Sequence, residues 1–338
     1  MKRYKNLYEK VYDIENLRQA YQKARRHKGK KFYVVEFEEH LEENLMQLQK
    51  ELIKESWQPL PYKVFTTFDP KQRLIHAPRF RDRIVQHVLV AIVEPIYYPI
   101  FIYDSYASLK YKGTHIAIDR LTKFLRRHEE PVYVLKCDVR KFFDSIDHST
   151  LIIILRKKIG DERVIRMCQK ILACGGIRKG VTLGNYTSQW FANIYLNELD
   201  YFLKHGLKVK ECIRYMDDIV VLSESKTRLH EIKKHIDTFL KALKLEFHTR
   251  KQEIFPAQVG IDFLGYRTWY DHRKLRKRNV WRFIRRLKQF EKELPEGKVS
   301  ERHVVGSIMS WKGYAQHADS YGLNYKLAKE HPILEVTL

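Results

Sequence analysis

Two short apolar runs separated by only three residues constrain this fold more than any other feature. ECIRY (211–215) and IVVLS (219–223) have the composition of strands. Such runs joined by a short polar tip predict a β-hairpin. The tip carries Asp217 and Asp218 side by side. Neighbouring carboxylates repel each other, so such a pair is stable either in open water or around a cation.

A second apolar run, VYVLKCDV (132–139), has the β-rich composition of a buried central strand and carries Asp138 near its end. If this strand and the hairpin belong to one sheet, three carboxylates converge, and divalent ions held with substrate phosphates would offset their repulsion. The alternatives are a solvated turn for the pair and a cap for Asp138. Asp144 and Asp147 are rival candidates, and we predict that Asp147 caps the following helix.

Composition favours a nucleic-acid partner. Lys plus Arg number 64 against 41 for Asp plus Glu, which gives a formal net charge of +23. The chain also has 21 Tyr, 17 Phe and 5 Trp, which could stack on bases between the cationic side chains. The four cysteines form no C-x-x-C pair, so we expect reduced, buried thiols. No signal peptide or membrane span is evident, which predicts a cytoplasmic protein.

Alternating strand and helix patterns predict an α/β or α+β sheet core. Residues 1–56 predict two amphipathic helices on either side of a basic stretch. Residues 62–78 predict a hairpin around Asp69 and Pro70, and Thr114 is expected to cap a helix. Further helices are expected at 82–93, 149–159, 162–173, 187–204 and 226–244, with a second hairpin at 259–270 and a basic helical region after Asp271.

Several of these segments, in this order, resemble the bacterial reverse transcriptases. They are HAPRFRDRIVQH (76–87), SYASLKYKGTH (105–115), CDVRKFFDSIDH (137–148), GVTLGNYTSQWFANIYLNELD (180–200), YMDD (215–218) and GIDFLGY (260–266). The resemblance implies an α+β right-hand polymerase that copies RNA into DNA. It implies an N-terminal helical extension over 1–60, fingers and palm over 61–270 and a basic helical thumb over 271–338.

The same resemblance assigns site residues. It implies that Asp138, Asp217 and Asp218, with the carbonyl of Val139, bind two Mg²⁺ ions, for which Mn²⁺ is the alternative. Phe143 occupies the position of an aromatic that excludes a ribose 2′-hydroxyl, although Phe142 and Phe143 could both be core residues. The nucleotide-binding set implied by the resemblance is Arg79, Arg81, Arg83, Phe143, Leu183, Gly184, Gln189 and Lys251, and the primer grip is Phe263, Leu264, Gly265 and Tyr266.

Two segments point to a subgroup. LGNYTSQ (183–189) and SWKGYAQHADSYGL (310–323) are similar to the reverse transcriptases of diversity-generating retroelements. That resemblance implies cDNA synthesis with errors opposite template adenines, a bacterial or phage origin and a small basic accessory protein. The other expected partners are template RNA, a DNA or RNA primer and deoxynucleoside triphosphates.

Two alternatives remain open. One is a retron or group II intron-like reverse transcriptase, including those of phage defence. The other is a basic RNA-binding protein with a vestigial polymerase core. The N-terminal basic residues Lys23, Arg25, Arg26 and Lys28 could face RNA, a partner protein or solvent.

Overall fold

A computed structural model of the chain describes residues 2–68, 72–129, 131–176 and 178–337. The helices are α1 Tyr8–Tyr12, α2 Ile14–Arg25, α3 Phe32–Glu39, α4 Leu41–Ile53, α5 Phe80–Tyr97, α6 Thr114–Leu125, α7 Phe142–Ser145, α8 His148–Arg156, α9 Glu162–Ala173, α10 Tyr186–Tyr201, α11 Lys226–Ala242, α12 Lys277–Glu293, α13 Glu301–Ala315 and α14 Tyr321–Glu330. The strands are β1 Lys63–Thr67, β2 Arg73–Ala77, β3 Tyr133–Val139, β4 Cys212–Tyr215, β5 Asp218–Ser223, β6 Phe247–Pro256, β7 Ile261–Phe263, β8 Tyr266–Thr268 and β9 Arg273–Leu275. The predicted α+β class is confirmed.

A four-stranded sheet with the order β4-β5-β3-β6 positions the acidic residues. β3 and β5 are rich in buried Val, Leu and Ile, as expected for central strands. The predicted hairpin around the YMDD segment is therefore present as β4 and β5, and β3 is the next strand in the sheet. A separate two-stranded sheet pairs Lys63 with Ala77 at one end of β1 and β2. The turn expected at Asp69 and Pro70 lies outside the described residues.

The chain divides into two compact units. The first comprises residues 1–110, 136–219 and 231–252, and the second comprises 111–135, 220–230 and 253–338. In the first unit, α2 packs against α5 and α4. In the second, β7, β8 and β9 form a three-stranded sheet, and α6 packs on β8.

The prediction of two helices in residues 1–56 was wrong, because four helices form there. Asp13 interrupts the first helix and caps the next, since its carboxylate accepts from the backbone N–H of Asn16 at 2.9 Å. His40 separates α3 from α4, because its φ of −128° and ψ of 44° lie outside the helical region. Apolar periodicity continues across both breaks, which explains why the pattern alone joined these helices.

Asp147 and Thr114 were both predicted to cap helices, and the structure bears out only one of them. Asp147 caps α8, as predicted, because its carboxylate accepts from the N–H of Thr150 at 2.9 Å. Thr114 is instead the first residue of α6, and Gly113 is the capping residue, with φ +131°. Glycine adopts that backbone conformation without a Cβ clash, so it fits the entry to the helix better than threonine.

The cores of both units are apolar. In the second unit, Phe283 of α12 stacks on Trp311 of α13 with ring centroids 4.1 Å apart, and Leu287 and Ile308 of the same two helices are fully buried. All four cysteines are free thiols and buried, as predicted. No helix in the described part of the chain has the length and apolar character required to cross a bilayer.

Candidate active site

The acidic turn lies between β4 and β5. Because β4 ends at Tyr215 and β5 begins at Asp218, Met216 and Asp217 form a two-residue turn. Met216 has φ +52°, in the left-handed region that costs a side-chain-bearing residue free energy. The backbone N–H of Val139, at the end of β3, donates to the carbonyl oxygen of Asp217 at 3.3 Å. The ends of β3 and of the hairpin therefore meet, as the sequence predicted for neighbouring strands.

The charges at this edge are coupled. Burial, followed by the negative charges of Asp138 and Asp218, raises the pKa of Asp217 to about 6. The Nζ of Lys251, on β6, donates to Oδ2 of Asp138 at 2.7 Å. Burial alone would lower the pKa of Lys251. The hydrogen bond to Asp138 and the charges of the three aspartates together outweigh burial, so the pKa of Lys251 is raised. The edge is thus acidic, with one ammonium group on it.

The side chains at this edge have the chemistry of ligands for divalent cations. Among the described residues, no three histidine, cysteine, aspartate or glutamate side chains stand in the geometry of a closed metal site. The chemistry of the donors fits nevertheless, because Mg²⁺ prefers a few carboxylates together with substrate oxygens. The ammonium of Lys251 already places one positive charge on Asp138, and burial raises the pKa of Asp217, so further positive charge at this edge would stabilise the ionised carboxylates.

The sequence analysis missed a buried ion pair beneath the acidic turn. Arg214, which is 2% exposed, forms a bidentate pair with Asp200 of α10, which is 1% exposed. Nε donates to Oδ1 at 2.8 Å, and one terminal nitrogen donates to Oδ2 at 2.6 Å. The other terminal nitrogen donates to the carbonyl oxygen of Met216 at 3.2 Å. A charged residue inside each of two apolar segments was the signal that could have revealed this pair.

Phe142 and Phe143 differ in burial. Phe142 is 2% exposed and belongs to the core, whereas Phe143 is half-buried. Their rings meet edge to face at 5.6 Å, so Phe142 supports the ring of Phe143. The backbone carbonyl of Phe143 accepts from the N–H of Val181 at 2.7 Å, which ties α7 to the segment before α10.

The three arginines around the start of α5 have different environments. Arg81 pairs with Glu51 at 2.5 Å and lies 3.6 Å from Asp82. Arg83 donates to the hydroxyl of Tyr33 at 3.2 Å and lies over its ring. Arg79 is exposed.

The loop that contains Leu183 and Gly184 lies against β2. The carbonyl of Leu183 accepts from the N–H of His76 at 2.8 Å, and the Leu183 side chain is half-buried. Gly184 has φ +117°, and a Cβ there would lie 2.6 Å from the carbonyl oxygen of His76. Only glycine fits this approach. Gln189 is exposed on α10.

A buried amide network, also missed from the sequence, holds this loop. Gln86 of α5 donates to Oδ1 of Asn185 at 3.1 Å and accepts from the N–H of Tyr186 at 2.9 Å. Asn185 donates to the hydroxyls of Tyr62 and Thr182, both at 2.7 Å. The backbone of the loop is therefore fixed at its start and at its end.

The segment expected to grip the primer is a second two-residue hairpin turn. Phe263 and Tyr266 are buried at the ends of β7 and β8, and Leu264 and Gly265 form the turn, with φ +50° and +94°. The hydroxyl of Tyr314 donates to the carbonyl of Gly265 at 2.5 Å. Of the four residues, Leu264 is the one whose side chain is only half-buried, so it is the group available for contact.

A basic surface surrounds His87 of α5. Burial, together with the charges of Lys28, Lys23 and Arg83, lowers the pKa of His87 to about 4. The ring of His87 stacks on Tyr186 with centroids 4.4 Å apart. Arg25, in contrast, pairs with Glu38 at 2.6 Å. Positive side chains next to exposed aromatic faces suit nucleic-acid backbones and bases.

A sheet edge that combines three carboxylates with a lysine, in a chain of formal net charge +23, is typical of the class of enzymes that transfer phosphoryl groups to or from nucleic acids. Comparison with known families makes this class more specific. Residues 66–268 match the family model for the reverse transcriptase (RNA-dependent DNA polymerase). That match covers more than half of the chain, so the chain belongs to the reverse transcriptase family. It is an RNA-directed DNA polymerase, and enzymes of this family use divalent metal ions.

Similar proteins include the protein YkfC of Escherichia coli, 26% identical over 78% of this chain and 79% of the relative. The group II intron-encoded protein LtrA of Lactococcus lactis is 31% identical over 41% of this chain, and the chain covers 24% of its length. The 91 kDa protein in a cob intron of Schizosaccharomyces pombe is 32% identical over 37% of this chain and 16% of the relative. The chain thus matches a quarter or less of the length of LtrA and of the cob intron protein.

Solved structures similar to this chain include two telomerases. The telomerase of Candida albicans in complex with a fragment of telomeric RNA has a TM-score of 0.47 at 12% identity over 65% of this chain and 46% of that one. The apo telomerase of Candida tropicalis, truncated from its C-terminal domain, has a TM-score of 0.47 at 14% identity over 70% and 60%.

Proposed function

We propose that this reverse transcriptase is the polymerase of a diversity-generating retroelement, copying a template RNA into cDNA with errors concentrated opposite adenines. The observation that carries the proposal is the loop at Leu183 and Gly184. It offers a half-buried apolar side chain on a backbone fixed by His76 and by the amides of Gln86 and Asn185. An apolar side chain at that position discriminates between base pairs by dispersion alone, whereas a hydrogen-bonding side chain would leave unpaired polar groups against a misfit.

The catalytic assignment is part of the proposal. Asp138, Asp217 and Asp218, with the Val139 carbonyl, would hold two Mg²⁺ ions, or Mn²⁺ in their place. When bound there, the ions would supply positive charge to the attacking primer 3′-oxygen and to the leaving pyrophosphate. The carboxylates position the primer end at the tip of the hairpin. Lys251, whose Nζ donates to Asp138 at 2.7 Å, would donate a proton to the leaving pyrophosphate.

Two further residues select the nucleotide. Phe143, supported by the ring of Phe142, presents a rigid edge on which a ribose 2′-hydroxyl would clash, whereas a deoxyribose fits. Arg79 is the arginine we assign to the triphosphate, because Arg81 is paired with Glu51 and Arg83 lies on Tyr33. A planar guanidinium donates two hydrogen bonds to phosphate oxygens, which suits this role.

The organisation of the chain follows from the same proposal. Residues 61–270 form the fingers and palm, residues 271–338 the basic thumb, and residues 1–60 an extension. The proposed partners are the template RNA, a DNA or RNA primer and a small basic accessory protein. The basic surface around His87 supports contact with the RNA backbone, because Lys23, Lys28 and Arg83 place three positive charges there.

The test is a template-directed synthesis followed by sequencing. The purified chain is given an RNA template, a DNA primer, Mg²⁺ and the four deoxynucleoside triphosphates, with and without the accessory protein, beside Asp217→Asn as the inactive control. We expect cDNA from the unmodified chain and none from Asp217→Asn, with misincorporation concentrated opposite adenines. Accurate cDNA would reject the retroelement assignment and retain the polymerase.

Leu183→Gln tests whether Leu183 determines the errors, separately from whether the chain is a polymerase. The substitution should lower the error frequency opposite adenines by several-fold while leaving the rate of correct incorporation within a few-fold, because a polar contact restores selection against misfits. Ile153→Gln, at an exposed apolar position on α8, is a matched control and should leave the errors unchanged. An unchanged error spectrum in Leu183→Gln would mean that Leu183 only fills space beside α10.

A group II intron-like or retron-like reverse transcriptase is the second candidate. The 31% identity to the intron-encoded LtrA over 148 residues favours it. Accurate copying of a long structured RNA would support the intron-like function, and a noncoding RNA joined covalently to its cDNA would support the retron-like one.

A further inference from the structure

We propose that Arg214 is a positioning residue for the acidic turn, and that its pair with Asp200 sets the affinity of the turn for divalent ions. The inference rests on the proposed catalytic role of Asp138, Asp217 and Asp218. It adds residues that carry no ligand atom and lie beneath the turn.

The guanidinium of Arg214 is fully used. Its five N–H donors are matched by five acceptors, two on Asp200 and one each on Asn193, Ser105 and Met216. Four of these acceptors are side-chain oxygens of residues no more than 1% exposed. The fifth, the carbonyl of Met216, is the only one in the turn. The network therefore connects the turn to a set of buried, mutually hydrogen-bonded side chains.

That one contact controls the orientation of the turn. The Met216 carbonyl and the Asp217 N–H belong to one planar peptide unit, so fixing the oxygen fixes the plane from which the Asp217 side chain departs. Met216 holds φ +52°, a strained conformation that persists only when its surroundings enforce it. Without the donor from Arg214, the peptide is free to rotate, and the carboxylates would have to be ordered at the moment of ion binding.

The backbone of Arg214 is fixed independently. Its N–H donates to the carbonyl of Asp104 at 2.9 Å, and its carbonyl accepts from the N–H of Tyr106 at 3.0 Å. Asn193 is held in turn, since it donates to the carbonyl of Ala107 at 2.9 Å. The strand beneath the turn thus has a defined register even when the side-chain network is altered, so variants of the network can test the turn without displacing the strand.

Lysine cannot replace this arginine. An ammonium has three donors on a flexible stem and cannot engage Asp200 in two directions while reaching Asn193, Ser105 and Met216. Arg214→Lys should therefore keep the buried charge paired and the chain folded, but release the Met216 carbonyl. A role in stability alone would be largely rescued by lysine, whereas a role in orientation would not.

The first measurement is metal binding without substrate. Mn²⁺ is titrated into the protein and free Mn²⁺ is followed by electron paramagnetic resonance. We expect Arg214→Lys to bind Mn²⁺ about 10- to 100-fold more weakly, the range seen when residues behind a metal ligand are changed. In primer extension, the Mg²⁺ concentration for half-maximal rate should rise in parallel, and KM for the primer-template should stay within twofold.

A double variant separates orientation from stability. Arg214→Met with Asp200→Leu replaces the buried pair by apolar side chains of similar size, an exchange that proteins often tolerate. We expect its melting temperature to approach that of the unmodified chain while Mn²⁺ affinity stays low. Leu48→Ala, in the buried face of α4, lowers the melting temperature by a different route and should leave Mn²⁺ affinity unchanged.

The outcomes are distinct. Unmodified Mn²⁺ affinity in Arg214→Lys, or recovery of affinity together with melting temperature in the double variant, would overturn the positioning role. Full extension activity in Asp217→Asn would overturn the proposed catalytic site itself. If Asp217→Asn is inactive and Arg214→Lys is normal in both titrations, only the positioning inference fails.

Discussion

Two hairpin turns of this reverse transcriptase have the same length but different supports. The turn at Met216 and Asp217 has its first carbonyl held by a buried guanidinium, which is in turn paired with Asp200. The turn at Leu264 and Gly265 has its second carbonyl held by the neutral hydroxyl of Tyr314. Each turn contains a residue with a side chain at positive φ. In both, the backbone carries the restraint, which leaves the outward side chains available for function.

The difference lies in the strength of the support. Hydrogen bonds from charged donors contribute about 1.5–3 kcal/mol, and those between neutral groups about 0.5–1.5 kcal/mol. The Gly265 carbonyl compensates by accepting a second bond, from the N–H of Arg276 at 2.9 Å. A turn that must hold repelling carboxylates thus has a charged anchor, whereas a turn with an apolar tip has two neutral ones.

The largest contrast is expected from removing the outward side chain of each turn. Asp217→Asn should lower the rate of primer extension by at least about 10³-fold, because it removes negative charge that positions the ions of the transition state. Leu264→Ala should change the rate by only a few-fold, since an apolar contact with the primer affects binding more than chemistry. Single-turnover extension measures both. Comparable losses in the two variants would contradict the division between a chemical and a binding turn.

The second contrast concerns pH. Folded Asp217 has a pKa of about 6, above the ordinary aspartate value, so between about pH 4 and pH 6 the folded chain binds more protons than the unfolded chain. Without divalent ions, the free energy of unfolding should therefore fall as pH rises through this window, by on the order of 1–2 kcal/mol after screening. Denaturant titrations in EDTA at pH 5 and pH 7 measure the change.

Asp217→Asn provides the control for the pH effect. Its asparagine does not titrate, so this part of the pH dependence should vanish. In the unmodified chain, Mg²⁺ should raise the free energy of unfolding at pH 7, and in Asp217→Asn it should not. Leu264→Ala should keep the dependence of the unmodified chain. The same pH slope in Asp217→Asn would mean that another group accounts for it.

The sequence predicted the strands that carry the acidic residues, because β3 and β5 are short, β-branched apolar runs of the length and composition typical of a sheet interior. It predicted their adjacency only conditionally, since strand order depends on contacts between distant segments. It missed the Arg214–Asp200 pair for the same reason, since the two residues lie on different elements and neither has a local partner. It also joined α1 with α2 and α3 with α4, because caps such as Asp13 are local interruptions of a longer apolar pattern.

The amide network around Asn185 shows a second limit of prediction from sequence, which concerns the pairing of side chains between segments. Gln86 and Asn185 lie 99 positions apart, and both occur in segments that resemble the family. The resemblance marked these segments without saying which side chains touch. Side-chain hydrogen bonds between segments depend on tertiary geometry, so a pattern of residue types in one sequence identifies the segments and leaves their pairing open.

The smallest effect is expected at the neutral anchor. Tyr314→Phe removes the hydroxyl that donates to Gly265 and that accepts from Nδ2 of Asn279 at 2.8 Å. We expect a loss of about 1 kcal/mol in the free energy of unfolding and a rise of a few-fold in KM for the primer-template. The maximal rate and the half-saturating Mg²⁺ concentration should not change, because the acidic turn keeps its own anchor.

Tyr321→Phe, at an exposed tyrosine on α14, serves as the matched control and should change neither quantity. A raised Mg²⁺ requirement in Tyr314→Phe would mean that the two turns are energetically coupled rather than separately held. An unchanged KM together with the expected loss of stability would mean that the Gly265 turn supports the fold without gripping the primer. Because the bond from Arg276 to Gly265 remains in the variant, a complete loss of activity would also count against separate anchoring.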